Sequence, residues 1–283
     1  MIPIKRVDHI SMGHADWKAQ SAWLERVLGF KFLHSWPAGK SDFEGCVSQV
    51  PGIAMEFEII SPAGPESFVQ KFLDAGGGPG LHHITIEVED IKAVAAEIEA
   101  LGMKPFGGIQ DDGMWHLTYV HPKDSGGTLW QLFQPYRYPE DADRTTSGGL
   151  AGLKRVDHVS MAVADVERQV AWQERVFGME VLERWTDEHD GYHGAVMRIP
   201  NSQLQFEIIA PARPDSFVQA FLNKRRAGMH HICCEVASVD AAVEALRGAG
   251  IEPHGGVIVN DWKKHTIIHP RDSGGVLFQL FEE

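Results

Sequence analysis

The chain of 283 residues is written twice. "RVDHISMGHADWKAQSAWLERVLGF" from Arg6 returns as "RVDHVSMAVADVERQVAWQERVFGM" from Arg155. "FEIISPAGPESFVQKFL" from Phe57 returns as "FEIIAPARPDSFVQAFL" from Phe206, and "HPKDSGGTLWQLF" from His121 as "HPRDSGGVLFQLF" from His269. The offset is 149 residues early and 148 late. Any fold must therefore be built two times from one plan. "YRYPEDADRTTSGGLAG", from Tyr136 to Gly152, is polar and rich in turn formers and reads as the joint. The expected organisation is one domain over 1–138, a linker over 139–152 and a second domain over 153–283.

A fainter repeat lies inside each half. "VDHISMGHADWKAQ" from Val7 resembles "LHHITIEVEDIKAV" from Leu81, with His83 aligned to His9. A helix is expected after each of these strands, with Asp16, Asp90, Asp165 and Ser238 as N-caps and Gly29, Gly102 and Gly178 at helix ends. Ile91, Val94, Ala95, Ile98 and Leu101 make one apolar stripe. Alternating runs such as "MEFEII" and "TLWQLF" then read as strands. The chain thus holds four units of strand, helix and strands, over roughly 5–62, 81–135, 154–211 and 229–282, an α+β plan.

Composition narrows the partners. A net charge of −13 without a long basic run argues against nucleic acid. No run of 18 apolar residues suggests a membrane span, and the N-terminus has no stretch of signal-peptide length, so a cytoplasmic location is expected. Three cysteines, Cys46, Cys233 and Cys234, do not look like a disulfide framework and fit a reducing compartment.

Side chains i and i+2 of a strand share a face. His9 and Ser11 therefore point away from Ile10 and Met12, and His83, Thr85 and Glu87 away from Ile84 and Ile86. The doubled histidines divide: His83 and His231 join the polar face, while His82 and His230 fall on the helix side as local scaffolding, bonded to backbone. Glu58 and Gln131 supply further polar groups, repeated as Glu207 and Gln279. Two imidazoles, a carboxylate and an amide oxygen suit a divalent metal, with Fe, Mn, Co, Ni or Zn all compatible with a shell lacking thiolate. An inward histidine is equally at home in a core, and duplication copies a core residue as faithfully as a ligand.

"DHI" before a helix ending in "LGF", then "GLHHITIEV", then "HPKDSGGTLWQLF" resemble the vicinal oxygen chelate superfamily, which includes glyoxalase I, extradiol dioxygenases and methylmalonyl-CoA epimerase-like enzymes. The resemblance covers nearly the whole chain, twice. It implies four βαβββ modules in two tandem glyoxalase-like domains with curved mixed sheets. It also implies metal ligands at His9, Glu58, His83 and Gln131, and at His158, Glu207, His231 and Gln279. Family members usually carry Glu where this chain has Gln131 and Gln279. A second acid expected on the third strand falls near Ser48 and Met197. Two-base epimerisation is therefore not expected, and Glu58 and Glu207 become the candidate bases, with Glu56 a rival in the first half.

The resemblance implies a metal-dependent isomerase, epimerase or lyase that chelates a small oxygenated substrate and stabilises an enolate. An Fe(II) extradiol-type dioxygenase and a non-catalytic binding or resistance protein are the alternatives. Thr85 and Cys233 hold equivalent places beside the ligands, Cys233 as a pocket-lining residue or a reactive thiol. Trp115 and Trp262 are further candidates for substrate contact. "HPKDSGG" and "HPRDSGG" read as tight turns. A small-molecule substrate and a monomer or homodimer are expected.

Overall fold

The computed structural model describes residues 1–39, 42–76, 78–138, 143–260 and 263–283. Trp262 lies outside the described residues, as does the 139–142 part of the expected linker. The first half runs β1 (Arg6–Gly13), α1 (Trp17–Leu28), β2 (Lys31–Trp36), β3 (Phe43–Gln49), β4 (Glu56–Pro62), α2 (Phe68–Gly76), β5 (Gly80–Glu87), α3 (Ile91–Ala100), β6 (Phe106–Asp111), β7 (Trp115–Val120) and β8 (Leu129–Pro135). The second half follows as β9 (Leu153–Ala162), α4 (Val166–Phe177), β10 (Glu180–Asp187), β11 (Tyr192–Arg198), β12 (Gln205–Pro211), α5 (Phe217–Arg225), β13 (Gly228–Val236), α6 (Val239–Gly248), β14 (His254–Asn260), β15 (Lys263–Ile268) and β16 (Leu277–Glu282).

These strands make two eight-stranded mixed sheets, ordered β2-β3-β4-β1-β5-β8-β7-β6 and β10-β11-β12-β9-β13-β16-β15-β14. The fold is α+β, with each half built as two modules on one eight-stranded sheet, the plan the resemblance implies. Within a module the first strand pairs in parallel with the last, as β1 does with β4 and β5 with β8, and the other pairs are antiparallel. A parallel pair needs a long crossover, which the helix and the two intervening strands supply.

The expected capping is present. Asp16 accepts from the Lys18 and Ala19 amides, Asp90 from Lys92 and Ala93, Asp165 from Arg168 and Ser238 from Ala241. The helices α2 and α5 fall outside the four expected units, α2 between residues 62 and 81 and α5 between 211 and 229. Ser67 and Ser216 open them by accepting from Val69 and Val218, each at 3.2 Å. They explain the helix-side histidines. His82 packs edge-on to Phe72 with ring centroids 4.7 Å apart, and His230 to Phe221 at the same distance. Burial lowers both imidazoles to a pKa of about 4, so they are neutral near pH 7.

Packing gathers the chain into two compact units, one of Met1–Asp8, His83–Glu140 and Val159–His230, the other of His9–His82, Asp141–His158 and His231–Glu283. In the first, Trp130 is fully buried with its ring 4.7 Å from Phe177 and 5.4 Å from Phe206. Gln169 of α4 donates to the Ser125 carbonyl at 3.0 Å. In the second unit Gln20 of α1 donates to the Ser273 carbonyl at 2.9 Å. The glutamines lie against the first glycine of each "DSGG" turn, while the second, Gly127 or Gly275, lies against the Ala227 or Pro79 carbonyl. Gly126 has φ +78°, and a Cβ there would lie 2.1 Å from Gln169 Oε1; Gly274, at φ +73°, would meet Gln20 Oε1 at 1.9 Å.

Candidate metal centre

Each half brings two histidines and one glutamate together. His9 on β1, Glu58 on β4 and His83 on β5 form one group, with one ligand atom from each lying within 4.8 Å of the others. His158 on β9, Glu207 on β12 and His231 on β13 form the other, within the same limit. The strand order explains the convergence, because β4, β1 and β5 are successive strands of the first sheet and β12, β9 and β13 of the second. In the first group His9 Nε2 stands 3.7 Å from Glu58 Oε2. In the second the His158 and His231 rings are 5.7 Å apart at an interplanar angle of 74°. His9, His83, His158, Glu207 and His231 are buried, and the Glu58 side chain is only 14 % exposed.

The two glutamines share the histidine face. Gln131 lies opposite Thr85 in the β5–β8 register, and the Thr85 hydroxyl donates to Gln131 Oε1 at 3.3 Å. Gln279 lies opposite Cys233 in the β13–β16 register. Cys233 is fully buried, as is Cys234, whose thiol burial pushes well up. Trp115, opposite Pro135, keeps to the same face as Gln131, with its ring 5.8 Å from Phe133.

Register sharpens one expectation. Ser48 opposes Phe57 and Met197 opposes Phe206, so both point with the apolar side chains and away from the glutamates. The positions opposite Glu58 and Glu207 are Val47 and Val196. The third strand therefore faces each group with a valine. The rival Glu56 is engaged elsewhere: Arg144 donates to its carboxylate at 2.7 Å and to Gln49 at 2.7 Å.

Sequence reasoning missed the residue that orients His158. Asp157 Oδ2 lies 2.8 Å from His158 Nδ1. Burial alone would raise the Asp157 carboxyl; the His158 hydrogen bond and the Arg155 charge outweigh it and bring the pKa to about 2. An ionised Asp157 holds the ring proton on Nδ1 and leaves Nε2 as a lone-pair donor, the arrangement usual behind a metal-bound imidazole. The adjacency in "VDH" is the only trace of it in the sequence, and neighbouring residues of a strand ordinarily point apart.

The donor set fits a divalent cation. Metal bonds of roughly 2.0–2.2 Å place neighbouring ligand atoms about 3 Å apart, so groups already within 4.8 Å need only small rotations to close. Two imidazoles and one carboxylate, with an amide oxygen on the same face, leave coordination positions for substrate.

Comparison with known proteins agrees. The model of the Glyoxalase/Bleomycin resistance protein/Dioxygenase superfamily matches residues 8–119 and again 157–267. Human mitochondrial methylmalonyl-CoA epimerase is 32 % identical over 144 residues, which cover 47 % of this chain and 77 % of that one. The ethylmalonyl-CoA/methylmalonyl-CoA epimerase of Cereibacter sphaeroides is 32 % identical over 132 residues, 45 % of this chain and 97 % of that one. A substituted 4-hydroxymandelate synthase from Streptomyces coelicolor superposes with a TM-score of 0.73, covering 99 % of this chain and 93 % of that one at 16 % identity, a likeness of fold alone. With its family model matched twice across both halves, the chain belongs to the Glyoxalase/Bleomycin resistance protein/Dioxygenase superfamily.

Proposed function

We propose that the chain is a metal-dependent isomerase or lyase, holding a small substrate by two neighbouring oxygens and moving one proton at the adjacent carbon. The observation that carries this reading is one carboxylate with two imidazoles in each half, on a face where the third strand presents valine in place of a second acid. Bound in each group, a divalent ion would stabilise negative charge developing on substrate oxygen as a Lewis acid. His9 and His83, or His158 and His231, would hold it. Glu58 or Glu207 would take the proton through a carboxylate oxygen and return it. Gln131 and Gln279 cannot exchange a proton in this range and serve as oxygen donors.

A single base has a chemical consequence. Inversion at carbon by two bases needs an acid on each side of the substrate. One base removes a proton and delivers it again from its own side, or leaves a group on the neighbouring carbon to depart. Isomerisation or elimination therefore suits this face better than two-base epimerisation. The epimerases among the relatives support the enolate-forming class, and their small-molecule substrates support a small molecule here.

The test is metal-dependent exchange of substrate C–H for deuterium in D2O, followed by mass spectrometry over a panel of 2-methyl acyl thioesters and 2-hydroxy ketones. Exchange is expected with the wild-type protein and lost in the Glu58→Gln, Glu207→Gln double variant, where the amide oxygen still offers a ligand. Oxygen uptake with catechols by the iron(II)-loaded protein, without deuterium exchange, would instead assign a ring-cleaving dioxygenase.

A further inference from the structure

Strand β15 carries a buried imidazole on the ligand face of the second sheet. His265 opposes Phe281 on β16, and Phe281 stands two residues beyond Gln279, so all three project from one face. Cys233 opposes Gln279, and His231 lies two residues before Cys233, which puts His231 on that face as well. Ile267 is directly across from Gln279, and His265 is the diagonal neighbour. Such neighbours have backbones about 7–8 Å apart, within reach of one small molecule held between their side chains. The residues beside His265 turn the other way. Lys264 pairs with Asp240 and, at 3.0 Å, with Glu282; the Thr266 hydroxyl donates to the Gly256 carbonyl at 2.7 Å.

The fold does not require an imidazole there. In the first half Leu117 opposes Phe133 on one side and Gln110 on the other, as His265 opposes Phe281 and Ile258. One plan therefore takes leucine at this place in one copy and histidine in the other. Both are buried, Leu117 at 6 % exposure and His265 at 9 %. Burying an imidazole costs more than burying a leucine, so packing alone does not account for the exchange. Glu235, opposite Phe281 on its other side, already has Lys154 and Arg155 as its cations.

We propose that His265 is a specificity-determining residue of the second half, hydrogen-bonding a third oxygen-bearing group of the substrate, a carboxylate one short carbon chain away from the two chelated oxygens. The inference rests on the reading of the second half as a substrate-chelating centre, and deepens it by naming the substrate class as a small diacid. A carboxylate is the acceptor that an imidazole N–H binds most strongly. Leu117 offers the first half an apolar wall at the same place, so that half takes a substrate whose substituent there is hydrocarbon.

The experiment is calorimetric titration of the full chain carrying His83→Ala and loaded with Zn²⁺, so that only the second group is complete. The probes are 2-hydroxybutanoate and 2-hydroxybutanedioate. Both present a hydroxyl and a carboxylate to the ion, and they differ at the far end, methyl against carboxylate. The dioate is expected to bind roughly tenfold more tightly than the monoacid. His265→Leu should abolish that preference, the dioate falling to the affinity of the monoacid, and His265→Gln, which keeps a donor, should retain part of it. Leucine is what the first half already carries at this place, and an unchanged thermal melt confirms that the variant folds. In the reciprocal background, His231→Ala, Leu117→His should create a preference for the dioate at the first group. A preference that survives in His265→Leu belongs to the ion and would overturn the assignment while leaving the chelating centre in place. Failure of the monoacid to bind either loaded background would overturn the chelating centre itself, and this assignment with it.

Discussion

Asp157→Asn separates the two candidate metal groups by changing one carboxylate oxygen to an amide nitrogen. The variant keeps His158, Glu207 and His231, and alters only what stands behind His158. Asp157 presently offers a carboxylate oxygen 2.8 Å from His158 Nδ1 and pairs with Arg155 at 2.5 Å. Arg155 has a second partner, Glu235, at 2.7 Å, so removing the Asp157 charge leaves no unpaired buried guanidinium. An asparagine oxygen can still accept from the ring, at about half the strength of a charge-assisted bond. Loss of such an orienting partner usually costs 10–100-fold in metal affinity, or about 1.4–2.7 kcal/mol. Because the amide retains part of the bond, the expected loss is roughly tenfold. The assay is competition for Zn²⁺ or Mn²⁺ against a fluorescent chelator, resolving two binding steps. One step should weaken and the other, belonging to His9, Glu58 and His83, should stay in place. Superimposable isotherms for variant and wild type, or equal weakening of both steps, would refute the reasoning.

Two further outcomes follow from the same geometry. Metal content after loading and desalting should be about two ions per chain, reduced to about one in His231→Ala, and chelator should lower the melting temperature of the loaded wild type; a single ion abolished by that one substitution would refute two equal groups. Acid should destabilise the chain through Glu87 and Glu235, whose side chains are buried and ion-paired to Lys5 and Arg6 and to Lys154 and Arg155. Hydrogen bonds from those partners, with Tyr138 on Glu87, hold both carboxyls below their ordinary 4.5 despite burial. A lowered folded pKa means that this stability is fully present above about 4.5 and is lost as pH falls through the folded value. Urea unfolding from pH 7 to pH 3 should show a steep acid limb, flattened in Glu87→Gln, which should also cost about 1 kcal/mol at pH 7, because Lys5 and Arg6 are partly exposed and keep Glu89 and Asp8 as partners; an unaltered acid slope would count against it.

How much was legible without coordinates depends on whether the signal is local. The four N-caps, the strand–helix–strand modules and the face shared by His83, Thr85 and Glu87 follow from spacing along a few residues. The helices α2 and α5 were missed because "SFVQKFL" and "SFVQAFL" lie beside a strand-like run, and their apolar positions serve His82 and His230, which no local pattern pairs with them. On the third strand, spacing reaches only the neighbourhood of Ser48. Alternation says which residues of a strand go together, but not which face meets the glutamates, and the register of β3 on β4 decided for Val47 over Ser48.

The amino-acid sequence by itself determined the duplication, the α+β modules and the residue types that can hold a metal, because periodicity and capping are properties of neighbours along the chain. Tertiary structure alone decided the remainder. It set β4, β1 and β5 side by side so that His9, Glu58 and His83 meet, turned Asp157 onto His158, drew Arg144 onto Glu56, and brought His265 to the face of Gln279. Strand order and register are settled by burial summed over whole sheets, and no window of sequence contains that sum.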